Sequence, residues 1–214
     1  MRAIVSTKYG PAEHLRMAEV EVPVPEDGEV LMRVRAASIN KVDWILMRGK
    51  PFAVRLMGQG LLRPKTRIPG NDAAGEVAAV GRAVRRFQPG DAVFGELSQI
   101  GRGALADYVC ASEYALALKP HNLSYVEAAA APMAAMTALQ GLRDKGRVRA
   151  GQKVLVYGAS GGVGTFAVQI ARSFGAEVTA VCSTNNLDIA RSAGRTMSSI
   201  IPRRASPWAE SAMT

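Results

Sequence analysis

A glycine-rich turn between an apolar run at 154–157 and a helical pattern has the residue types that bind a pyrophosphate. It reads Gly158, Ala159, Ser160, Gly161, Gly162, Val163 and Gly164. Glycines let phosphate oxygens approach the backbone, and the free N–H groups and positive dipole of a following helix attract negative charge. Ala159 replaces the first glycine of the strict Gly-x-Gly-x-x-Gly motif, so the match is a variant. We expect dinucleotide binding here, and the alternative is a tight turn without a ligand.

Ser160 is also the centre of a Gly-x-Ser-x-Gly pattern, which is typical of the nucleophile of α/β-hydrolases. In that fold the catalytic histidine follows the serine along the chain. The two histidines here, His14 and His121, both precede Ser160, which disfavours a hydrolase. A P-loop is disfavoured as well, because no Gly-Lys-Ser or Gly-Lys-Thr follows the turn.

The end of the next strand bears on which dinucleotide would bind. NAD enzymes usually carry an Asp or Glu there, against the 2′-hydroxyl of the ribose. In this chain Cys182 is followed by Ser183, Thr184 and two asparagines. Hydroxyls without a carboxylate favour the 2′-phosphate of NADPH, with NADH also possible. Ser183 could instead act only as a helix cap.

The composition is that of an ordinary folded chain with a basic surface. Its 214 residues include 48% hydrophobic and 21% charged side chains, which disfavours disorder and fibres and allows one large or two small domains. The net charge of +9 arises from basic clusters near 48–67, 82–86 and 191–204. Because aromatic residues are few, at 6%, and are not interleaved with these clusters, we do not expect nucleic acid as a partner.

Neither export nor membrane insertion is indicated. The longest uncharged run, Ala128–Leu142, is shorter than the about 20 residues that cross a bilayer. The N-terminus lacks the apolar segment of a secretory signal, so we expect a cytoplasmic protein without a membrane partner. Cys110 and Cys182 are too few and too far apart for a disulfide framework or a zinc site.

The predicted elements change character near Ser124. Residues 1–123 contain short apolar runs bounded by Gly, Pro and Asp, a pattern typical of an irregular β-barrel. Ser124 and Glu127 form a capping box that begins an Ala-rich helix reaching about Lys145. A strand, helix, strand and short helix follow, to about residue 193, as at the start of a doubly wound parallel sheet.

Several co-linear motifs together resemble one family. They are Ala37–Asp43, Gly70–Val77, Gly90–Gly95, Ala129–Pro132, Thr137-Ala138 and Gly158–Gly164. From Met1 to about Gly194 the chain resembles the medium-chain dehydrogenase/reductase superfamily, and within it the zinc-independent, quinone-oxidoreductase-like branch. The fold class that this implies is α/β plus β, with a GroES-like barrel substrate domain over 1–123 and an incomplete Rossmann domain, a doubly wound parallel sheet, over 124–194.

The resemblance also implies a chemistry. Zinc-dependent relatives have a Cys near the position of Asn40, a His at that of Asn71 and a structural lobe with four Cys, none of which is present here. We therefore expect no zinc, and direct hydride transfer from NADPH to a quinone, enone or related carbonyl acceptor. Asn40 and Asp43 would lie beside this small-molecule substrate, with Asn40 bonding a carbonyl oxygen, and Thr137 beside the nicotinamide. Both Asn40 and Asp43 could instead only cap a helix.

The family pattern stops after Gly194. Residues 195–202 read Arg-Thr-Met-Ser-Ser-Ile-Ile-Pro, but suitable synonymous codons read one base earlier give Ala-Asp-His-Val-Ile-Asp-Tyr-Thr, which is family-like. We therefore expect 195–214 to be an out-of-frame or disordered tail on a truncated chain with little or no activity. Homo-oligomers would be expected only of a full-length form. The alternative is a non-catalytic protein that binds NADP(H) or a polyanion.

Overall fold

The computed structural model describes residues 1–56, 60–64, 67–97, 103–192 and 198–201. The chain divides into two compact units, Met1–Met133 and Ala134–Thr214.

The first unit is built mainly from antiparallel strands. They are β1 (Arg2–Ser6), β2 (Leu15–Glu19), β3 (Glu29–Ser38), β4 (Asp72–Val80), β5 (Ala92–Glu96), β6 (Tyr108–Ser112) and β7 (Leu116–Leu118). Strands β1 and β2 form a ribbon, and the other five form a sheet in the order β6-β3-β4-β5-β7. Among the described strands β6 and β7 are the edges of this sheet, so the expected barrel is open rather than closed. Its core contains Val30, Met32, Val93 and Leu97, all fully buried.

Two helices of this unit begin at the expected caps. Helix α1 (Lys41–Arg48) follows Asn40, and helix α2 (Tyr125–Ala129) follows Ser124, whose hydroxyl accepts the Glu127 N–H in the predicted capping box. The buried residues Ala128 and Ala129 of α2 pack against Ala74 of β4. Because of this packing the division between the units lies after Met133 rather than after residue 123.

The second unit is a parallel sheet with helices. It contains most of α3 (Pro132–Leu139), a π-helical turn (Gln140–Lys145), β8 (Lys153–Tyr157), α4 (Gly162–Ser173), β9 (Glu177–Ser183), α5 (Leu187–Ser192) and β10 (Ser198–Ile201). The sheet order is β10-β9-β8, and both pairs are parallel. Val168 of α4 packs with Val156 and Val178 of the sheet, which confirms the predicted strand–helix–strand order.

Four residues of the tail are ordered. Ser198–Ile201 pair in parallel with Ala180–Ser183 of β9. An unpaired strand edge is a template for pairing, and the β-branched Ile200 and Ile201 favour an extended backbone. The rest of the tail lies outside the described residues.

None of the helices in the described ranges combines the length and the apolar character needed to cross a bilayer.

Candidate functional site

The glycine-rich turn leaves strand β8 through a backbone conformation that requires glycine. Gly158 has φ +76°, a left-handed value that residues with a Cβ rarely adopt. The N–H groups of Gly158 and Ala159 donate to the carbonyl of Val181 in β9, at 2.9 and 3.0 Å. The turn is thereby fixed to the sheet at the carboxyl ends of β8 and β9, the edge where open parallel sheets bind ligands.

The three later glycines differ in what surrounds them. A Cβ on Gly162 would meet only the Ala134 Cβ, at 4.0 Å, and one on Gly161 only the Gly158 carbonyl oxygen, at 3.4 Å. A Cβ on Gly164 would lie 2.1 Å from that same oxygen. Gly161 and Gly162 therefore border open space at the start of α4, whereas Gly164 permits close packing of the helix on the strand.

The start of α4 fits an anionic group. Gly161 is the N-cap and the helix begins at Gly162, so the first N–H groups of the helix have no acceptor within it. Gly161, Gly162 and Val163 are exposed, and Ser160 is half-buried. This arrangement of free N–H groups without obstructing side chains can hold a pyrophosphate.

Ala159 is one of the predicted cofactor-binding residues. It is fully buried and packs with Val156 and Val168 in the core of the second unit. Its methyl group therefore fills the junction between strand and helix and is not available to a ligand. The sequence motif alone could not separate this inward-facing position from its exposed neighbours.

Hydroxyl groups lie at the end of β9, as predicted. Ser183 and Thr184 are exposed, and the Ser183 hydroxyl accepts a hydrogen bond of 3.1 Å from the Asn186 side-chain amide. Ser183 is the N-cap of the short 3-10 helix Thr184–Asn186, but its side chain makes no capping bond. The hydroxyl hydrogen of Ser183 can thus be donated to another acceptor, such as a phosphate oxygen.

Helix α3 lies next to the glycine-rich turn. The Ala134 Cβ is 4.0 Å from the position of a Cβ on Gly162. Thr137 is exposed and follows Ala134 by three residues, so the two share one side of α3. The predicted nicotinamide contact and the predicted pyrophosphate turn therefore belong to the same unit.

In the first unit, Asn40 and Asp43 take part in the cap of α1. The Asp43 carboxylate accepts the Asn40 backbone N–H at 2.7 Å and also a hydrogen bond from the Asn71 side-chain amide. Asp43 is only 8% exposed. Both of its oxygens are engaged inside the protein, which supports the capping interpretation that the sequence left open.

Asp72 is a residue of this cluster that sequence reasoning missed. Its fully buried carboxylate accepts hydrogen bonds from the Asn40 side-chain amide at 2.9 Å, the Ser38 hydroxyl at 3.2 Å and the Met133 N–H at 3.2 Å. Burial raises the pKa of Asp72 to about 6, although these hydrogen bonds favour its charged form. The Gly70–Val77 motif contained Asp72, but the motif did not reveal that its side chain points to Asn40.

The orientation of the Asn40 amide limits what it can do. Its Nδ2 donates to Asp72 at 2.9 Å and, over a longer 3.4 Å, to the Ser38 hydroxyl. To donate a hydrogen bond to the carbonyl oxygen of a substrate, Nδ2 would have to give up the longer bond, the one to Ser38. Beside this pair, the buried Asn71 Oδ1 has no hydrogen-bond partner among the described residues. The cluster thus combines an amide donor, a buried acid and an unsatisfied acceptor.

Metal ligands are not grouped in the described ranges. Within them no three or more His, Cys, Asp and Glu side chains lie close enough to hold an ion. Asn40 and Asn71 stand where zinc-dependent relatives are expected to carry ligands, and both amides bond to carboxylates of this cluster.

Known proteins match both the sequence and the fold. Residues 26–121 match the alcohol dehydrogenase GroES-like domain. The chloroplast envelope quinone oxidoreductase homolog of Arabidopsis thaliana is 39% identical to this chain, in an alignment that covers 91% of this chain and 59% of that protein. The NADPH-dependent alkenal/one oxidoreductase of the same plant is 36% identical over 91% of this chain and 50% of its own length.

A solved structure agrees with these sequence matches. The quinone oxidoreductase of Coxiella burnetii superimposes with a TM-score of 0.83 and 30% identity, covering 99% of this chain and 65% of that one. The chain spans about three fifths of the length of the curated relatives named above, or less.

Proposed function

The chain belongs to the medium-chain dehydrogenase/reductase superfamily, in its quinone-oxidoreductase-like branch, and from this we propose that its two units are the acceptor side and the cofactor side of an NADPH-dependent reductase. The acceptor would be a quinone, an enone or a related carbonyl compound. The observation that carries the proposal is the open turn at Gly161 and Gly162 before helix α4.

On the cofactor side, we propose that the second unit is an incomplete Rossmann domain. The N–H groups at Gly162, Val163 and Gly164 would bind the pyrophosphate, and Ser183 and Thr184 the 2′-phosphate. Thr137 would contact the nicotinamide. Bound NADPH would supply the hydride, and the protein groups would hold and orient it. The absence of a carboxylate at the end of β9 supports NADPH over NADH.

On the acceptor side, Asn40 is the proposed contact to the carbonyl oxygen. Asp72 would position it, since its carboxylate accepts a hydrogen bond from the Asn40 side-chain amide. Asp43 would act through the α1 cap, which sets the backbone of Asn40. A zinc ion is not part of this proposal, because amides at 40 and 71 are weak ligands for zinc, which prefers Cys, His and carboxylates.

The 214-residue chain itself is proposed to have little or no turnover. Its relatives have further sequence that this chain does not match, and the three described strands β10, β9 and β8 provide only part of a doubly wound sheet. A second candidate is therefore a non-catalytic NADP(H)-binding protein, which the exposed turn favours. A cytoplasmic location stays a prediction, as the names of several relatives include chloroplastic or mitochondrial.

A chimera tests this proposal. Residues 195–214 are replaced by the corresponding C-terminal part of the Coxiella quinone oxidoreductase, and NADPH oxidation by 1,4-benzoquinone is followed by absorbance. We expect turnover by the chimera, little by the parent chain, and a loss of about tenfold in kcat/KM when the chimera also carries Gly162→Ala. A folded chimera that binds NADPH but does not reduce any quinone or enone would favour the non-catalytic candidate.

A further inference from the structure

Between residues 41 and 63 of the first unit, cations and exposed apolar residues are interleaved along the chain. We call these residues the basic–apolar surface. Its cations are Lys41, Arg48, Lys50, Arg55 and Arg63, and its exposed apolar residues are Trp44, Phe52, Leu56, Leu61 and Leu62. None of these residues has a part in the cofactor or acceptor sites proposed above.

The segment that carries this surface is rich in positive charge. From Lys41 to Arg67 the sequence has seven Lys and Arg and one acidic residue, Asp43. Asp43 is buried and bonded to Asn40 and Asn71. Among the described residues, the ion pairs involve Arg2, Arg35, Arg82, Arg143 and Lys153, all outside this surface. Within the described part of the chain, the cations of this surface therefore have no ion-pair partner, and their positive charge faces the solvent.

Aromatic rings lie beneath several of these cations, which corrects the sequence-based view that aromatic residues are not interleaved with them. Lys41 Nζ is 4.0 Å from the centre of the Trp44 ring, and the Arg48 guanidinium is 4.9 Å from it. The Arg55 guanidinium is 4.4 Å from the ring of Tyr9. Such stacking holds long side chains over apolar surface while their charged ends remain in water.

Hydrogen bonds make the surface continuous. Arg55 Nε donates to the carbonyl of Gly49, the C-cap of α1, at 3.0 Å. The Tyr9 hydroxyl donates to the carbonyl of Gly60 at 2.7 Å. Gly60 precedes Leu61 and Leu62, which are 51% and 84% exposed. The exposed leucines and the stacked cations thus belong to one connected region.

We propose that the basic–apolar surface docks reversibly on the surface of an anionic lipid bilayer, a partner that the sequence alone did not lead us to expect. Lys and Arg near a membrane are attracted by acidic headgroups, and exposed Leu, Phe and Trp side chains enter the boundary between headgroups and acyl chains. A single-stranded nucleic acid fits less well. Bases stack on free ring faces, whereas Trp44 is already covered by two cations, and aliphatic Leu61 and Leu62 offer no stacking surface.

Vesicle sedimentation with the full chain is the test. We expect the chain to sediment with vesicles of phosphatidylcholine and phosphatidylserine, and not with phosphatidylcholine alone. Raising NaCl from about 0.1 M to about 1 M shortens the Debye length from about 10 to about 3 Å and should release the bound chain. Equal binding to both kinds of vesicle would overturn the electrostatic part of the proposal.

Charge reversal localises the binding. The double variant Lys50→Glu, Arg63→Glu should bind anionic vesicles at least about tenfold more weakly. The matched control Lys145→Glu, Arg149→Glu makes the same change in net charge at exposed positions of the second unit and should change binding by less than about twofold. If both pairs weaken binding equally, net charge rather than this surface is responsible, and the proposal is wrong.

Apolar variants separate lipid from nucleic acid. Leu61→Ser with Leu62→Ser should weaken vesicle binding about tenfold, while Val24→Ser, at an equally exposed position elsewhere, should not. Circular dichroism of each variant checks that it is folded. If oligothymidylate binds more tightly than the vesicles and the leucine variants bind it unchanged, the partner is a single-stranded nucleic acid and the lipid proposal fails.

Discussion

At the scale of single residues, the glycines of the turn between β8 and α4 have different structural roles. Gly158 permits a left-handed backbone, Gly161 and Gly162 leave space for a ligand, and Gly164 lets the helix pack against the strand. The motif predicted a ligand turn but not this division, because it depends on which atoms lie opposite each Cα. For the same reason, the motif did not predict that the side chain of Ala159 is buried.

Two glycine substitutions should therefore separate stability from binding. Gly164→Ala would place a Cβ 2.1 Å from the Gly158 carbonyl oxygen, so we expect a loss of about 2 kcal/mol or more in the free energy of unfolding. Gly162→Ala meets open space and should change it by less than about 1 kcal/mol. Urea denaturation followed by circular dichroism measures both. Equal destabilisation by the two substitutions would contradict the different structural roles of Gly162 and Gly164.

The buried carboxyl of Asp72 predicts a dependence of stability on pH. Its pKa of about 6 in the folded chain lies above the ordinary value of 3.8, so folding favours the protonated form. The stabilisation is complete below about pH 4 and is lost as the pH rises through about 6. Relative to the parent chain, Asp72→Asn should therefore gain on the order of 2 kcal/mol between pH 4 and 6.5. Denaturation midpoints at the two pH values test this, and a constant difference would contradict it.

At the scale of elements, local signals in the sequence were sufficient for the second unit. The apolar run, the glycines and the Ser-Thr-Asn-Asn cap predicted β8, α4, β9 and the helix that ends at Ser192, and all four are confirmed. The strand β10 was not predicted. This strand forms because it pairs with the free edge of β9, a contact in space that no local sequence pattern indicates.

The capping box of α2 gives a prediction at this scale. Ser124→Ala removes the acceptor of the Glu127 N–H and the hydroxyl that bonds the Glu127 carboxylate, so we expect a loss of about 1 kcal/mol in the free energy of unfolding. Ser173→Ala is the matched control, since its hydroxyl bonds only a carbonyl within α4, and should cost less than about 0.5 kcal/mol. Chemical denaturation compares the two, and a larger effect at Ser173 would refute the prediction.

At the scale of the whole molecule, the sequence indicated two parts but not the contacts that complete each one. Tyr9 and Arg55 are far apart along the chain and show no shared pattern, yet they stack in the first unit. Asp72 likewise joins Ser38, Asn40 and Met133. Such contacts depend on the path of the chain through space, which periodicity and motifs do not encode.

The second unit leaves apolar side chains uncovered, which should cause self-association. Strand β8 is an edge of the described sheet, and its Leu155 and Tyr157 are 68% and 77% exposed. An edge strand with exposed apolar side chains can associate with other chains. We expect Leu155→Glu to reduce light scattering of the chain severalfold at equal concentration, while Tyr114→Glu, at an exposed position in the first unit, does not. If neither variant differs from the parent, β8 is not the site of association.

A calorimetric titration with NADPH, run in parallel on the 214-residue chain, on Gly162→Ala and on Gly141→Ala, tests directly whether the glycine-rich turn binds a dinucleotide. A Cβ on Gly141, like one on Gly162, would clash with nothing, but Gly141 lies outside the turn. We expect saturable binding, about tenfold weaker for Gly162→Ala and unchanged for Gly141→Ala. No saturable binding by the folded parent chain, or equal loss in both variants, would contradict the claim that this turn is a dinucleotide site.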